Sequence, residues 1–304
     1  MISRKYLYLI ALAREKHFGR AAAACHISPS TLSAAIRDIE IEWGVTIVKR
    51  GRTFSGLTRE GQCVVEHAIQ LTNTAEDLRQ QLGTLRQALT GHLTLGVIPT
   101  ALTAVASLTA AFARQHPQVS LEIISLSTSD ILKRLQAFDL DAGIVYVETG
   151  LQHHLFTVPL WQEKHVLLCP PNDAHFNKQL QVTWQAASGL PLCLLTPDMQ
   201  NRKIIDGIFN QLGCTVQASL ETNSLISMLA HVCTGEWYAI MPQGVLELIG
   251  APHGVKVLPL IEPVFHWMTG LIVAGREPWS PLITALLHEA QQLKSMFSKN
   301  EQIF

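Results

Sequence analysis

The chain has 304 residues, of which 48% are hydrophobic and 15% are charged, and its formal net charge is −1. This length is enough for about two or three domains with a sizeable core. No stretch reaches the roughly 18 apolar residues of a membrane-spanning helix, so we expect a cytoplasmic protein without a membrane partner. The six cysteines form no CxxC pair and show no ligand spacing to histidine, which argues against a metal site or a disulfide framework.

The charges are unevenly distributed along the chain. Residues 1–60 hold ten Lys and Arg against five Asp and Glu, whereas the remaining 244 residues hold 13 against 19. A small basic unit joined to a larger acidic one is typical of a nucleic-acid-binding module with a partner domain.

The N-terminal stretch MISRKYLYLIALAREKHFG predicts an amphipathic helix with Leu7, Ile10 and Ala11 facing inward. A secretory signal is the alternative. The apolar run is only about six residues long and is followed at once by charged residues, which favours the helix.

The next stretch, FGRAAAACHISPSTLSAAIRDIEIEWG over residues 18–44, predicts two short helices joined by a tight turn. Alanine favours helix and lets another helix cross closely, so the first helix covers residues 19–24. The second has Ser28 as its N-cap, Pro29 at its first position and Gly44 at its C-terminal end. Its apolar stripe is formed by Leu32, Ile36, Ile39 and Trp43.

The opposite face of the second helix is small and polar with one cation, which suits a DNA major groove. An ordinary helical corner is the alternative on these residues alone. A β-prone run at 45–48, a cationic turn and a return at 53–54 then predict a hairpin wing that touches the DNA backbone or minor groove, with a solvated surface hairpin as the alternative. The residues predicted to contact DNA are Ser28, Pro29, Ser30, Thr31, Ser33, Ala34, Arg37, Lys49, Arg50 and Arg52.

Residues 59–89 predict one long helix. Thr58 is a suitable N-cap, and apolar residues recur at spacings of 4 and 3 over about four heptads. Because the other positions are mostly hydrophilic, we expect a homodimer through the same helix of a second subunit. Packing on the chain's own C-terminal body is the alternative. The apolar seam consists of Val64, Ala68, Leu71, Ala75, Leu78, Leu82, Leu85 and Leu89.

Beyond residue 90 strands and helices alternate, which predicts two α/β units in tandem. The first is a βαβαβ unit with parallel strands and right-handed crossovers. Extended crossovers join two lobes with a cleft between them, and a C-terminal helix at 282–297 returns to the first lobe. The predicted strands lie at 92–97, 119–126, 142–147, 166–169, 192–195, 216–221 and 239–241, and the predicted helices lie at 101–116, 130–138, 201–212 and 224–233.

The fold class is therefore α/β, with an N-terminal winged helix-turn-helix and a two-lobed C-terminal domain. We expect the DNA-binding domain at 1–58, the linker and dimerisation helix at 59–89, and an effector-binding domain at 91–304. Within it, lobe I comprises 91–161 and 268–304, and lobe II comprises 162–267.

Five segments resemble the LysR-type transcriptional regulators, in sequence and in order. They are HFGRAAAACHISPSTLSAAIRDIE, GVTIVKRG, LTREG, GHLTLGVIPT and TNSLISMLAHVCTGEWYAIMP, and the resemblance covers essentially the whole chain. It implies a winged helix-turn-helix, a linker helix and an effector domain like the periplasmic binding proteins. It also implies a homotetramer that binds promoter DNA and responds to a small molecule in the cleft.

The chain departs from that family at two positions of the recognition helix. The family usually has Gln at the position of Pro29 and often Arg at the position of Ala34, and neither Pro nor Ala forms a bidentate hydrogen bond to a base edge. We therefore expect Ser30, Thr31 and Ser33 to read the bases. We also expect more reliance on wing contacts and DNA shape than in relatives.

Ligands of such two-lobed folds bind where strand ends meet helix N-termini. Hydroxyls, helix N-termini and an arginine at such places predict a small anion, a carboxylate. The segment LQAFDLDAG and others resemble a LysR subgroup found with formate dehydrogenase genes, which makes formate a candidate. Helix capping and a solvated arginine are the alternatives. The predicted effector residues are Thr100, Ala101, Ser127, Ser129, Thr196, Asn201, Arg202 and Asn223.

The sequence predicts no catalytic residues and no cofactor, because GxSxG, HExxH and the phosphate-loop glycine pattern are missing from it. A solute-binding protein and a two-lobed α/β enzyme are the alternative functions. A thiol switch between Cys193 and Cys214 is an alternative to buried, inert thiols.

Overall fold

The computed structural model of the chain describes residues 3–49, 54–84, 89–147, 155–274 and 279–300. It divides into two compact units, Met1–Leu89 and Thr90–Phe304. Within the described part of the chain, no helix is both long enough and apolar enough to cross a membrane.

The N-terminal unit is helical, and its third helix has the predicted ends. The Ser28 side chain accepts a hydrogen bond from the backbone N–H of Thr31 at 3.1 Å, Pro29 is the first helical residue, and Gly44 ends the helix with a left-handed φ of +64°. The helices are α1 (Arg4–Glu15), α2 (Phe18–Ala24), α3 (Pro29–Trp43) and α4 (Arg59–Thr84).

The inward face of α1 differs from the prediction. Leu7 is 43% exposed, whereas Leu9 and Leu12 are fully buried. These two leucines pack in one cluster with Ala21 and Ala22 of α2, whose small side chains allow the helices to approach closely. The spacing of apolar residues in α1 does not by itself show which face of the helix α2 covers.

The apolar stripe of α3 is buried except at its end. Leu32, Ile36 and Ile39 lie in the core, but Trp43 is 59% exposed. Its indole N–H donates to the Tyr6 hydroxyl of α1 at 2.9 Å. Trp43 is the last residue of α3, so its ring covers the rim of the core rather than entering it.

Helix α4 begins at the predicted cap, since the Thr58 side chain accepts a hydrogen bond from the Gly61 backbone N–H at 2.8 Å. Along its seam, Ala68 is buried, whereas Leu71 and Leu78 are each 56% exposed. The side chain of Leu82, and Leu85 as a whole, lie outside the described residues.

The C-terminal unit alternates strands and helices around two sheets. Its elements are β1 (Gly91–Val97), α5 (Val105–Gln115), β2 (Val119–Ser125), α6 (Thr128–Gln136), β3 (Ala142–Tyr146), β4 (Leu155–Glu163), β5 (His165–Cys169), β6 (Val182–Thr183), α7 (Trp184–Ala187), β7 (Leu192–Leu195), α8 (Gln200–Gln211), β8 (Leu220–Thr222), α9 (Leu225–Cys233), β9 (Tyr238–Pro242), α10 (Gln243–Ile249), β10 (Lys256–Ile261), β11 (Trp267–Ala274) and α11 (Pro281–Asn300).

The first sheet has the strand order β2-β1-β3-β11-β4. Strand β1 pairs in parallel with β2 and β3, which confirms the predicted βαβαβ unit, and β11 pairs antiparallel with β3 and β4. Helix α11 packs on β4 and α5, so the end of the chain returns to this lobe as predicted.

The second sheet has the order β6-β10-β5-β9-β7-β8 and forms the other lobe. The prediction of a strand over 216–221 is wrong, because β8 covers only Leu220–Thr222. Its parallel partner β7 has just four residues and begins at Leu192, whose carbonyl oxygen accepts from the Ser219 backbone N–H at 2.8 Å, so β7 does not extend along residues 216–218.

The helix predicted at 101–116 also starts later than expected. Pro99–Ala101 forms a single 3-10 turn after β1, and α5 begins at Val105. Thr100 therefore lies on a tight turn at the end of the strand, with Pro99 as the first residue of that turn.

Candidate functional site

The exposed face of α3 is small and polar. Pro29, Ser30, Thr31, Ala34 and Arg37 are exposed, while Ser33 is half-buried. The Ser28 hydroxyl lies 2.7 Å from that of Ser30 and 2.8 Å from that of Thr31, so these three hydroxyls form one cluster at the helix start. A helix that is buried on one side and presents short hydrogen-bonding groups on the other can enter a major groove.

The wing is fixed to α3 by a contact that the sequence analysis missed. Glu40 Oε1 accepts hydrogen bonds from the backbone N–H groups of Ile47 at 2.7 Å and Val48 at 3.2 Å. Val48 then forms an isolated antiparallel bridge with Leu57. A side-chain contact to backbone seven residues away leaves no trace in hydrophobic periodicity.

The described part of the wing includes one of its three predicted cations. Lys49 is exposed, and its backbone N–H donates to Gly56 O at 3.0 Å. Arg50 and Arg52 lie outside the described residues. The base of the wing is thus held at the end of α3, which is the position that a wing needs to follow the DNA backbone beside a recognition helix.

We predict that Glu40→Ala loosens the wing. The two backbone donors lose a charged acceptor, so unfolding free energy falls by about 1 kcal/mol and DNA affinity falls by about tenfold. Chemical denaturation and fluorescence anisotropy with duplex DNA measure both effects. Asp38→Ala removes the same charge from an exposed position of α3 and serves as the control; equal behaviour of the two variants would contradict the anchoring role of Glu40.

A small pocket with a cavity volume of about 10 Å³ lies between the two sheets of the C-terminal unit. It collects the end of β1, the start of α6, the end of β3, the end of β7 and the start of α8. Ligand pockets occur where strands end and helices begin, because helix N-termini present backbone N–H groups there. The described lining residues are Ile98, Pro99, Thr100, Thr128, Tyr146, Leu195, Met199, Gln200 and Asn201.

Two of the eight predicted effector residues, Thr100 and Asn201, line this pocket. The others lie near it or act elsewhere. Ala101 is buried behind Thr100, Thr196 has a buried hydroxyl without a hydrogen bond to the described residues, and Asn223 is exposed. Tyr146 and Thr128 were not predicted, because strand and helix patterns do not show which side chains converge from separate elements.

Ser127 and Ser129 act locally at the start of α6. The Ser127 hydroxyl caps the helix by accepting from the Asp130 backbone N–H at 3.2 Å, and it lies 3.0 Å from the Ser129 hydroxyl. Its neighbour Thr128 reaches the pocket instead, with a hydroxyl that is buried and forms no hydrogen bond to the described residues. The capping alternative therefore describes Ser127.

Arg202 is engaged away from the pocket. Its Nε lies 2.9 Å from Asp206 Oδ1, and its Nη1 donates to Glu221 Oε1 and Leu195 O, each at 2.8 Å. The guanidinium thereby joins α8 to β7 and β8. Because Nε and Nη1 bind these acceptors, Arg202 stabilises the packing of α8 against β7 and β8, and it is not among the lining residues of the pocket.

A buried polar network stands behind the pocket and crosses from one sheet to the other. The Tyr146 hydroxyl lies 2.6 Å from Glu163 Oε2 and 3.1 Å from Thr100 Oγ1. Asn201 Nδ2 donates to that hydroxyl at 3.2 Å and to His165 Nε2 at 2.8 Å. Tyr146 and Glu163 end two strands of the first sheet, whereas His165 and Asn201 belong to the second lobe.

Burial controls the charge states in this network. It raises the pKa of Glu163 to about 6, although hydrogen bonds from Tyr146, Trp161 and Thr269 act in the opposite direction. Burial also lowers the pKa of His165 to about 3, so this imidazole is neutral at physiological pH. Glu163 is therefore the member of the network whose charge changes close to neutral pH.

The cysteines do not form a reactive centre at the pocket. All six are free, and burial raises the pKa of the Cys169 thiol to about 12 and that of the Cys193 thiol to about 11. Thiolates are the reactive form of cysteine, so these two are inert. Met199, not a cysteine, lines the pocket.

Comparisons with known protein families match both halves of the chain. The model described as "Bacterial regulatory helix-turn-helix protein, lysR family" matches residues 3–62, and the model described as "LysR substrate binding domain" matches residues 86–294.

The curated proteins that this chain resembles in sequence include transcriptional regulators. The chain is 27% identical over 276 residues to the hydrogen peroxide-inducible genes activator of Dickeya chrysanthemi, covering 90% of this chain and 89% of that protein. It is 26% identical, with the same coverage, to the DNA-binding transcriptional dual regulator OxyR of Escherichia coli.

Solved structures show the same architecture. A variant of full-length OxyR from Pseudomonas aeruginosa matches with a TM-score of 0.74 at 25% identity, covering 94% of this chain and 93% of that one. Full-length CbnR in complex with its target DNA matches with a TM-score of 0.67 at 16% identity, covering 95% and 99%. At that identity the CbnR match supports the fold alone.

Proposed function

Because the chain belongs to the LysR family of DNA-binding transcriptional regulators, we propose that it binds promoter DNA as a homo-oligomer and changes its activity when a small molecule occupies the pocket beside Thr100. The observation that carries this proposal is the combination of an exposed polar α3 face with an exposed leucine seam on α4. We place the protein in the cytoplasm, where the promoter is.

We assign the functions to the chain as follows. Residues 1–58 bind DNA, residues 59–89 link and dimerise, and residues 91–304 bind the effector. Within the last domain, lobe I takes 91–161 and 268–304, and lobe II takes 162–267.

DNA recognition rests on α3 and the wing. The exposed hydroxyls of Ser30 and Thr31 offer donors and acceptors to base edges, and Arg37 and Lys49 reach phosphates. Ser33 is half-buried, so its contribution to base reading is smaller than that of the two exposed hydroxyls. This sparse set of base-reading groups supports the proposal that wing contacts and DNA shape carry much of the specificity.

Self-association rests on α4. Leu71 and Leu78 lie one heptad apart and are both more than half exposed in the single chain. Two such helices that pack together bury these leucines and hold two copies of α3 for two half-sites. A tetramer built from two such dimers is the further assembly that we propose.

The effector we propose is a small carboxylate, with formate as one candidate. Support comes from the starts of α6 and α8, which both reach the pocket and present helix N-termini to it, and from the hydroxyls of Thr100 and Thr128. The cavity volume of about 10 Å³ is room for about one water molecule, which favours the smallest carboxylates.

The printed name of several relatives, hydrogen peroxide-inducible genes activator, raises a response to peroxide as a second candidate function. The buried thiols of Cys169 and Cys193 have raised pKa values, and the pocket is lined by a methionine at the start of α8. We therefore propose that this chain responds to a bound molecule rather than through a thiol switch between Cys193 and Cys214.

A thermal-shift screen of small carboxylates against the full chain tests the effector assignment. A ligand at 100 times its dissociation constant stabilises the folded state by about 2.7 kcal/mol. We predict that Thr100→Val weakens a stabilising ligand by about tenfold, since one hydrogen bond in the pocket is lost. Thr109→Val makes the same change on α5 away from the pocket and is expected to bind normally; a Thr100→Val protein that binds as tightly as the wild type would contradict the pocket assignment.

A gel-shift assay distinguishes a DNA-binding regulator from the two alternative functions. DNA from upstream of the regulated genes is expected to be retarded by the wild type and released when added salt screens the phosphate contacts. A solute-binding protein or a two-lobed enzyme would leave the duplex free at all salt concentrations.

A further inference from the structure

Within the polar network behind the pocket, Glu163 determines whether the Thr100 hydroxyl can donate a hydrogen bond to a ligand. Tyr146, Thr100 and Glu163 are 2%, 2% and 4% exposed, respectively. Tyr146 and Thr100 line the pocket, and Glu163 contacts Tyr146 from behind. The three side chains form a continuous hydrogen-bonded row from the end of β4 to the pocket.

The Tyr146 hydroxyl has one proton but two oxygen partners that accept it. An ionised carboxylate only accepts, so when Glu163 is charged the tyrosine donates to Oε2 across the short 2.6 Å contact. The tyrosine oxygen then accepts from Asn201 Nδ2 and from the Thr100 hydroxyl, 3.2 Å and 3.1 Å away. The Thr100 hydroxyl therefore donates its hydrogen bond to Tyr146 and presents only acceptor lone pairs to the pocket.

A proton on Glu163 reverses this row. The carboxylic O–H donates to the Tyr146 oxygen, and the tyrosine donates to Thr100 Oγ1 across the 3.1 Å contact. The Thr100 O–H is then free to turn into the pocket as a donor. The two hydrogen-bond directions correspond to two charge states of one buried acid.

The charges around the pocket also favour carboxylate binding when Glu163 is neutral. The described lining residues include no Lys or Arg, and the guanidinium of Arg202 is occupied by Asp206, Glu221 and Leu195 O. A second anion entering beside a charged Glu163 would meet repulsion in a weakly screened interior. Neutralising Glu163 removes that repulsion.

We propose that Glu163 is a specificity-determining residue, and that the pocket binds a carboxylate together with one proton from solvent, which Glu163 takes up. The proposal rests on the proposed function, in which this pocket receives the effector. It makes carboxylate binding stronger as pH falls, and it lets an uncharged ligand that carries its own donor bind to the charged form of Glu163.

The surroundings of Glu163 allow this titration to be assigned to it. The titratable neighbours are Tyr146 from β3 and His165 from β5, and β11 and α8 contribute Thr269 and Asn201, which do not titrate. Burial and the adjacent Glu163 raise the pKa of Tyr146 well above its usual value, and burial holds the pKa of His165 at about 3. Burial raises the pKa of Glu163 to about 6, so its two forms interchange near neutral pH.

The experiment measures binding of formate and acetate, and of formamide and acetamide, to the full-length protein by calorimetry between about pH 5 and pH 8. For the wild type we expect carboxylate affinity to fall by about tenfold per pH unit above the pKa of Glu163, with one proton taken up on binding, while amide affinity does not fall. Glu163→Gln places a permanent donor next to Tyr146, so its carboxylate affinity is expected to be high and independent of pH. Tyr146→Phe removes the hydroxyl that joins Glu163 to Thr100 but leaves the titrating carboxyl in place, so we expect weaker carboxylate binding at low pH with the slope retained.

Each result decides the matter. A carboxylate profile that keeps its slope in Glu163→Gln, or a wild-type profile without a slope, overturns the proton coupling. Binding of the amides alone also overturns it but leaves the pocket assignment standing. If Thr100→Val changes none of the affinities, the ligands bind elsewhere and the proposed pocket itself is wrong.

Discussion

Replacing Leu71 and Leu78 of α4 by glutamate is expected to split the protein into monomers and to lower its affinity for promoter DNA by about 100-fold, because joining two binding modules in one dimer raises affinity by about that factor or more. Both leucines are 56% exposed in the single chain. They occupy the apolar seam of an otherwise polar helix, so we propose that a second copy of the helix buries them. Two buried carboxylates at those places would not be tolerated.

Size-exclusion chromatography with light scattering measures the assembly, and anisotropy with duplex DNA measures the affinity. The control is the double variant Gln62→Glu and Gln70→Glu, which adds the same charge to other faces of α4. If the leucine variant remains oligomeric, or if it loses no more DNA affinity than the glutamine variant, then α4 is not the dimerisation helix.

The second large effect concerns Arg202. Arg202→Met keeps much of the side-chain volume but removes a buried guanidinium, and we expect it to lower the unfolding free energy by about 3 kcal/mol. The variant leaves Leu195 O without its donor and Asp206 and Glu221 without their counter-ion. The two carboxylates are 37% and 42% exposed, so water offsets part of the loss.

Urea denaturation of the full chain measures this loss. Lys203→Met changes the neighbouring, exposed cation of α8 and is expected to alter stability by less than about 0.5 kcal/mol. We also expect a carboxylate that stabilises the wild type to bind Arg202→Met with unchanged affinity. A large loss of affinity without a loss of stability would make Arg202 a ligand residue after all.

The parts of the fold that the sequence predicts well are those set by local chemistry. Ser28, Pro29 and Gly44 fix the ends of α3 through capping and backbone conformation, which depend on near neighbours only. The N-cap of α2 is His17, whose Nδ1 accepts hydrogen bonds from the Gly19 and Arg20 backbone N–H groups. The sequence does not predict this cap, because histidine is not among the common N-cap residues.

Features that depend on distant parts of the chain could not be predicted. Which face of α1 is buried depends on where α2 lies, so the helical pattern predicts Leu7 inward although it is exposed. The strand expected at 216–221 is short because β7, its partner, is short. Both outcomes follow from tertiary packing rather than from local pattern.

The candidate pocket likewise contains residues that the local pattern predicts and residues that only the three-dimensional structure reveals. Thr100 and Asn201, which the sequence predicts because they follow strands and begin helical turns, both line the pocket. Tyr146 and Glu163 were not found, because each ends a strand whose pattern reads simply as buried, and their contact joins positions 17 residues apart. Arg202 was placed correctly in α8, but its partners on β7 and β8 are visible only in three dimensions.

Selection from a pool of random-sequence duplexes tests the central claim most directly. The full-length protein is expected to enrich an interrupted inverted repeat whose half-sites lie whole helical turns apart, at about 10 base pairs per turn, since a two-fold dimer presents two copies of α3. The Leu71→Glu and Leu78→Glu double variant is expected to enrich no such repeat. Recovery of unrelated sequences by the wild type, or of the same repeat by the leucine variant, would contradict a regulator that reads DNA as a dimer through α3.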